Sequence, residues 1–123
     1  MYDKNLVRSI LLQIEDALQQ IGDRSRRFRS ADEFTSSSSG REARDSICML
    51  FMAVGEALKS IDRITGGSLL SRYPEIDWQG AIGFRDLIAH HYFDIDAEQV
   101  FWICTQEIGP LSAAVQKMIQ ELR

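Results

Sequence analysis

Apolar residues recur at intervals of three and four positions through most of this 123-residue chain. That spacing is typical of amphipathic α-helices. One such stripe runs from Val7 to Ile21, and another runs from Ile47 to Ile61. No segment alternates apolar and polar residues as a half-buried strand would. The pattern therefore predicts an all-α fold, an antiparallel bundle of four to five helices that forms a single domain over residues 1–123.

Glycines and polar runs predict where the N-terminal helices end. The first helix is expected to end or loosen at Gly22. The polar stretch 23–40 is expected to be a loop with a helical turn around 32–34. The second helix is expected over about 41–64, because two consecutive glycines at 66 and 67 follow it.

Capping residues and a proline predict the helices of the C-terminal half. Asp77 is placed to cap a third helix that begins at Trp78. Asp96 is placed to cap the next helix, with Gln99 as its partner in a capping box. Gly109-Pro110 predicts a kink or a new helix in the last segment, since proline lacks a backbone donor and clashes with the preceding turn.

Composition and cysteine spacing limit the possible locations of the protein. No apolar run approaches the roughly 20 residues that span a bilayer. The first residues lack the basic and then apolar layout of a signal peptide. Cys48 and Cys104 match no metal-ligand spacing. We therefore expect a cytoplasmic protein, without a membrane segment, in which both cysteines are reduced and buried.

The charge distribution carries one feature of interest for nucleic-acid binding. The net charge of −4 does not favour such binding, which depends on Lys and Arg. Four arginines nevertheless fall within six residues: Arg24, Arg26, Arg27 and Arg29. They form either a contact surface for RNA or an ordinary solvated surface.

The stretch GFRDLIAHHYFDID, residues 83–96, contains both histidines of the chain. On a straight helix Arg85 and Tyr92 nearly align, whereas His90 lies about 140° round from Arg85. One helix therefore does not bring the three side chains together. An unwound helix end, the reach of the Arg85 side chain or a second copy of the chain would be needed.

Two further residues of this stretch are candidates for supporting roles. Asp86 lies four positions before His90, so its carboxylate could orient the imidazole. The alternative is an exposed surface carboxylate. His91 is either an auxiliary phosphate contact or an exposed bystander. Adjacent histidines on a helix point about 100° apart, so a shared metal ion is not expected.

The residues Arg85-Asp-Leu-Ile-Ala-His90-His91-Tyr92 fit the motif Arg-x-x-x-x-His-x-Tyr of the HepT-like toxins of the HEPN superfamily. The resemblance extends to Val54-Gly55-Glu56-Ala57 and to the segments 74–78, 93–96 and 100–102. It covers residues 43 to 120 well and the N-terminal third more loosely.

The resemblance implies a ribonuclease that needs no metal or other cofactor and acts on RNA such as tRNA. It places Arg85 and His90 in the active site, with Tyr92 beside them. An imidazole can exchange protons near neutral pH, and a guanidinium can stabilise a phosphorane. Cleavage through the 2′-OH would leave a 2′,3′-cyclic phosphate, and DNA would resist.

The resemblance also implies two partners. One is a second copy of the chain, in a homodimer whose motifs face a shared cleft. The other is a minimal nucleotidyltransferase antitoxin, which transfers AMP onto the tyrosine that corresponds to Tyr92 in a type VII toxin–antitoxin system. The alternative function is a HEPN module that binds the nucleotidyltransferase and has no catalytic activity.

Overall fold

The computed structural model describes residues 2–123, and in this range the chain forms five α-helices and no strand. The helices, α1 to α5 in chain order, span Lys4–Ser25, Ser38–Ile64, Trp78–His90, Ala97–Gln106 and Ile108–Glu121. Short 3₁₀ turns lie between them at Ala31–Phe34, Leu70–Arg72 and Tyr92–Asp94. The predicted all-α fold and the predicted number of helices are confirmed. None of the helices in this range is long and apolar enough to cross a membrane.

The first connection is shorter than its polar sequence predicted. Helix α1 does not end at Gly22, which is buried and whose carbonyl accepts a bond of 3.1 Å from the backbone N–H of Arg26. Helix α2 begins at Ser38, because the Ser37 hydroxyl accepts a bond of 3.0 Å from the N–H of Gly40 and caps the helix. The predicted loop over 23–40 is therefore reduced to 26–37. The predicted turn is confirmed at Ala31–Phe34.

The helix boundaries of the C-terminal half follow the predicted caps. The carboxylate of Asp77 accepts a bond of 2.9 Å from Gly80 N–H, and that of Asp96 accepts one of 2.9 Å from Glu98 N–H. The second bond of a capping box, from the Gln99 side chain, is not formed among residues 2–123. A new helix does start near Pro110, which lies in the first turn of α5, where a missing N–H costs no intrahelical bond.

Helix α2 forms the centre of the bundle and packs against α1, α3 and α4. Its core residues Ile47, Leu58 and Ile61 are fully buried. Cys48 and Cys104 are also buried, and both are free thiols, as predicted. Burial raises the pKa of Cys48 to about 11 and that of Cys104 to about 12, so neither is a reactive thiolate at neutral pH.

Helices α2 and α3 run antiparallel and approach closely. The ring of Phe51 packs edge-on against Phe84, with 5.4 Å between centroids. One turn further along α2, a Cβ atom added to Gly55 would lie 2.4 Å from the Cβ of Arg85. This distance is shorter than van der Waals contact allows. Gly55 is therefore required by the close approach of the two helices within one chain.

Replacing Gly55 by alanine tests this contact. Overpacking of a tight interface costs about 1–3 kcal/mol, whereas glycine-to-alanine exchange in a helix gains about 1 kcal/mol. We expect Gly55→Ala to lower the free energy of unfolding by up to about 2 kcal/mol. Urea denaturation monitored by circular dichroism measures the change.

The matched control is Gly83→Ala in α3. A Cβ at Gly83 would meet no atom within 4 Å, so this variant should gain about 1 kcal/mol from helix propensity alone. Equal stabilisation by both variants would show that α2 and α3 are not in close contact at Gly55.

Candidate active site

Arg85 projects from α3 toward α2 and is held by two carboxylates. Its Nη2 lies 3.0 Å from Oε2 of Glu56, and its Nη1 donates a bond of 2.7 Å to Oδ1 of Asp86. The bond to Asp86 and the charge of Glu56 raise the pKa of Arg85. The guanidinium is permanently charged, and 28% of the side chain remains exposed. It can therefore bind an anion only in competition with these carboxylates.

The contact of Asp86 differs from the one expected from its spacing. The carboxylate bonds its neighbour Arg85, and it does not bond His90. This pairing lowers the pKa of Asp86. A guanidinium is always charged and presents several donors, so it is a stronger partner than an imidazole. Asp86 therefore positions Arg85, and His90 has no carboxylate that orients it among residues 2–123.

The two histidines lie where α3 ends. His90 is the last helical residue, and His91 caps the helix with φ −135° and ψ 38°. Both side chains are exposed. The backbone N–H of His91 still donates a bond of 2.9 Å to Leu87 O, so the chain leaves the helix immediately after this bond. The end of α3 is thus unwound only after His90, which changes the position of Tyr92 but leaves Arg85 and His90 on the same regular helix.

Tyr92 begins the 3₁₀ turn that follows α3, and it is anchored to α2. Its hydroxyl donates a hydrogen bond to Oδ1 of Asp45. Burial raises the pKa of Tyr92 to about 12, and the bond and charge of Asp45 add to this shift. Asp45 lies 47 residues earlier in the chain, so no local sequence signal identifies it. It is the site residue that sequence reasoning missed.

The anchors of Arg85 and Tyr92 lie on one face of α2 but far apart along it. Asp45 and Glu56 are eleven residues apart, which corresponds to about 16 Å of rise and a rotation of only about 20°. No hydrogen bond or ion pair joins Arg85, His90 and Tyr92 to one another within residues 2–123. One chain therefore holds Arg85 and Tyr92 against the same face of α2, and the three groups do not form a compact triad.

The arginine-rich segment lies at the same end of the bundle as Tyr92. Arg24 lies in the last turn of α1 and bonds Gln20, whereas Arg26 is paired with Asp23. Arg27 and Arg29 are exposed and take part in no ion pair within the described residues. Helix α1 ends, α2 begins and α3 ends at this end of the bundle. The guanidinium groups of Arg27 and Arg29, which form no ion pair within the described residues, therefore lie at the same end of the molecule as the histidines.

The remaining polar clusters give no metal centre. In the part of the chain that the structure describes, no three His, Cys, Asp or Glu side chains are grouped so that they could hold an ion. The candidate site presents imidazole, guanidinium, phenol and carboxylate groups.

These features define a small all-α domain whose third helix carries Arg85 and an exposed His90 and is followed by the half-buried Tyr92. The family model "Ribonuclease HepT-like" matches residues 14–118. The chain therefore belongs to the HepT-like family of the HEPN superfamily, as its motif predicted.

Individual relatives agree with this assignment. A Methanocaldococcus jannaschii protein named "Putative RNase MJ0127" is 24% identical over 119 residues, which cover 97% of this chain and 92% of the relative. "Putative RNase MJ0125" of the same organism is 30% identical over 69 residues, or 56% of each chain. No solved structure matches the chain significantly.

Removal of the hydrogen bond between Tyr92 and Asp45 should change the pKa of Tyr92 measurably. Asp45→Asn should lower the pKa of Tyr92 from about 12, although it should stay above the ordinary value of about 10 because burial remains. A pH titration of ¹³C-labelled tyrosine followed by NMR measures the shift. Asp94→Asn, which removes an equal charge from the same turn, should leave the pKa of Tyr92 near 12.

The raised pKa of Tyr92 also determines how the free energy of unfolding changes with pH. The folded pKa lies above the ordinary one, so the stabilisation tied to neutral Tyr92 is complete below pH 10. It is lost as the pH rises toward 12. A pKa that does not change in Asp45→Asn would contradict the observed bond.

Proposed function

We propose that this protein is a metal-independent endoribonuclease that acts as the toxin of a type VII toxin–antitoxin system. The main observation in support is that His90 is exposed at the end of α3, and that Arg85, on the preceding turns, is partly exposed. Neither group is sealed in the hydrophobic core, so a polynucleotide can reach both. Membership of the HepT-like family and the names of the relatives support the reaction class.

In the proposed reaction the ribose 2′-oxygen attacks the adjacent phosphorus. His90 removes the proton from the 2′-OH, or supplies one to the leaving 5′-oxygen as the P–O5′ bond breaks. Arg85 stabilises the additional negative charge of the phosphorane. The products are a 2′,3′-cyclic phosphate and a free 5′-OH. His91 is exposed and acts as a bystander or a secondary phosphate contact.

The active form in this proposal is a homodimer. The Arg85 and Tyr92 anchors are about 16 Å apart on α2, so a second copy would be needed to bring a complete set of groups to one phosphodiester. Two large apolar side chains near this surface favour such an association. Met49 of α2 is 71% exposed, and Phe93, next to Tyr92, is fully exposed.

The substrate in this proposal is RNA, with tRNA as the expected class. Arg27 and Arg29 would contact its phosphates, because these guanidinium groups are exposed and free of ion pairs. Arg24 and Arg26 contribute less, since Gln20 and Asp23 already bond them. We place the protein in the cytoplasm, where tRNA occurs and free thiols such as Cys48 persist.

The antitoxin in this proposal is a minimal nucleotidyltransferase that attaches AMP to Tyr92. Tyr92 is half-buried and follows His90 closely, so an attached adenylate would add charge and volume beside the catalytic groups. Both changes would oppose the entry of RNA. Modification of one hydroxyl would thus switch the enzyme off.

A second function is favoured by the electrostatics of the free chain. Arg85 is already paired with Glu56 and Asp86, and the net charge is −4. Both features suit a non-catalytic HEPN module that binds the nucleotidyltransferase but does not cleave RNA. The cleavage assay separates the two functions.

The catalytic proposal predicts RNA cleavage in the presence of EDTA. Purified wild-type protein should cut a tRNA mixture, whereas His90→Ala should be slower by about 10²–10⁴-fold, the usual contribution of a general acid or base. Gel analysis and end-group mapping of the 2′,3′-cyclic phosphate measure this outcome.

Two controls accompany the cleavage assay. His91→Ala makes the same exchange one position away and should retain most of the activity. A deoxyribose version of the substrate should resist, because it lacks the attacking 2′-OH. Equal activity of wild type and His90→Ala would refute the catalytic role and leave the binding module as the better account.

The antitoxin proposal predicts a defined covalent change. Incubation with the cognate nucleotidyltransferase and ATP should add about 329 Da per AMP to the intact mass. Tyr92→Phe should show no addition, whereas Tyr2→Phe should be modified like the wild type. An unchanged mass of the wild-type chain, or the same addition to Tyr92→Phe, would rule out Tyr92 as the acceptor.

A further inference from the structure

The contact between Tyr92 and α2 has a consequence for the modification chemistry. A phenol becomes a strong nucleophile only as it loses its proton. With a pKa of about 12, only about one Tyr92 in 10⁵ is a phenolate at pH 7. Attack on a nucleotide at neutral pH therefore requires a base that removes the proton during the reaction.

One carboxylate of the chain already contacts the hydroxyl that must lose its proton. Oδ1 of Asp45 accepts the hydrogen bond of the Tyr92 hydroxyl. The Asp45 side chain is 53% exposed, so solvent can carry the proton away. Its other close partner is Arg44, whose Nη2 lies 3.2 Å from the same oxygen. Arg44 thus adds a cation close to the Tyr92 hydroxyl.

We propose that Asp45 is the general base for modification of Tyr92, an inference that rests on the proposed role of Tyr92 as nucleotide acceptor. The Tyr92 oxygen forms a bond to the α-phosphorus of ATP while Asp45 takes the phenolic proton. The bond from the α-phosphorus to the oxygen that leads to the β-phosphate breaks, and pyrophosphate leaves with its electron pair. The toxin chain itself thereby supplies one catalytic group for its own inactivation.

Within residues 2–123, the charged and titratable groups that shift the pKa of Tyr92 lie on α2. Asp45, Arg44 and Cys48 are the titratable residues that influence Tyr92. Cys48 is buried, and its pKa of about 11 keeps it protonated near pH 7. Asp45 is the one carboxylate among the three, and it makes the direct contact. It is therefore the group that can accept a proton in the neutral range.

If Asp45 only held Tyr92 in position, its loss would change the rate of modification in a different way. The bond also ties the 3₁₀ turn at Tyr92–Asp94 to α2, so loss of Asp45 could merely displace the tyrosine. Asp45→Asn separates the two roles, because the amide oxygen can still accept the hydrogen bond but is not a base near neutral pH. A base is distinguished from an anchor by the dependence of rate on pH.

The experiment measures the rate of AMP addition to the full-length chain by intact mass, with the cognate nucleotidyltransferase and ATP at saturation, between pH 6 and 10. Asp45→Asn should be slower by about 100-fold at pH 7 and should recover as the pH rises, because solution hydroxide replaces the missing base. Asp94→Asn removes an equal charge nearby and should react at the wild-type rate.

The possible outcomes distinguish the two proposals. If wild type gains no AMP, the modification of Tyr92 itself is refuted, and the role of Asp45 with it. If wild type reacts and Asp45→Asn reacts equally fast, only the role of Asp45 is refuted. A rate that falls by the same factor at every pH would identify Asp45 as an anchor and would also overturn the proposal.

Discussion

The candidate site depends on the close approach of α2 and α3 at Gly55. At this point the Cβ of Arg85 occupies the space that any larger residue on α2 would need. The approach sets the register of the two antiparallel helices, and the Phe51–Phe84 contact continues it toward the next turn. Arg85 can reach Glu56 across the interface only in this register. A wider separation would break the contact with Glu56 and leave the guanidinium paired with Asp86 alone.

Helix α2 therefore acts as the support for groups that the motif helix carries. One of its faces holds Arg85 through Glu56 and, eleven residues earlier, holds Tyr92 through Asp45. These two contacts fix both ends of the segment that contains His90. The histidine itself makes no such contact within residues 2–123. In the proposed enzyme it would be free to turn toward a substrate, while the groups on either side of it are held in place.

The parts of the structure that were predictable from sequence are those determined locally. Helical periodicity and the caps Asp77 and Asp96 depend on residues a few positions apart, and both caps form as predicted. The motif residues Arg85, His90 and Tyr92 could be identified from their spacing and from the resemblance to the HepT-like family. The contacts of Asp45 and Glu56 could not be predicted, because they join distant segments. Helical spacing allows Asp86 either to contact His90 or to be an exposed carboxylate. It is exposed, and it bonds the adjacent guanidinium, which is the stronger partner.

The carboxylates around Arg85 bear on how such a site could favour a transition state. A phosphodiester carries a single negative charge and must compete with Glu56 and Asp86 for the guanidinium. The phosphorane formed during cleavage carries additional charge and competes better. Both states must displace the same carboxylates, so the pairing weakens both contacts alike. The additional charge of the phosphorane is what would favour the transition state over the bound substrate, which is the condition for raising the rate of the chemical step. The acidic surroundings are in this way compatible with catalysis, at the expense of weak binding to the ground state.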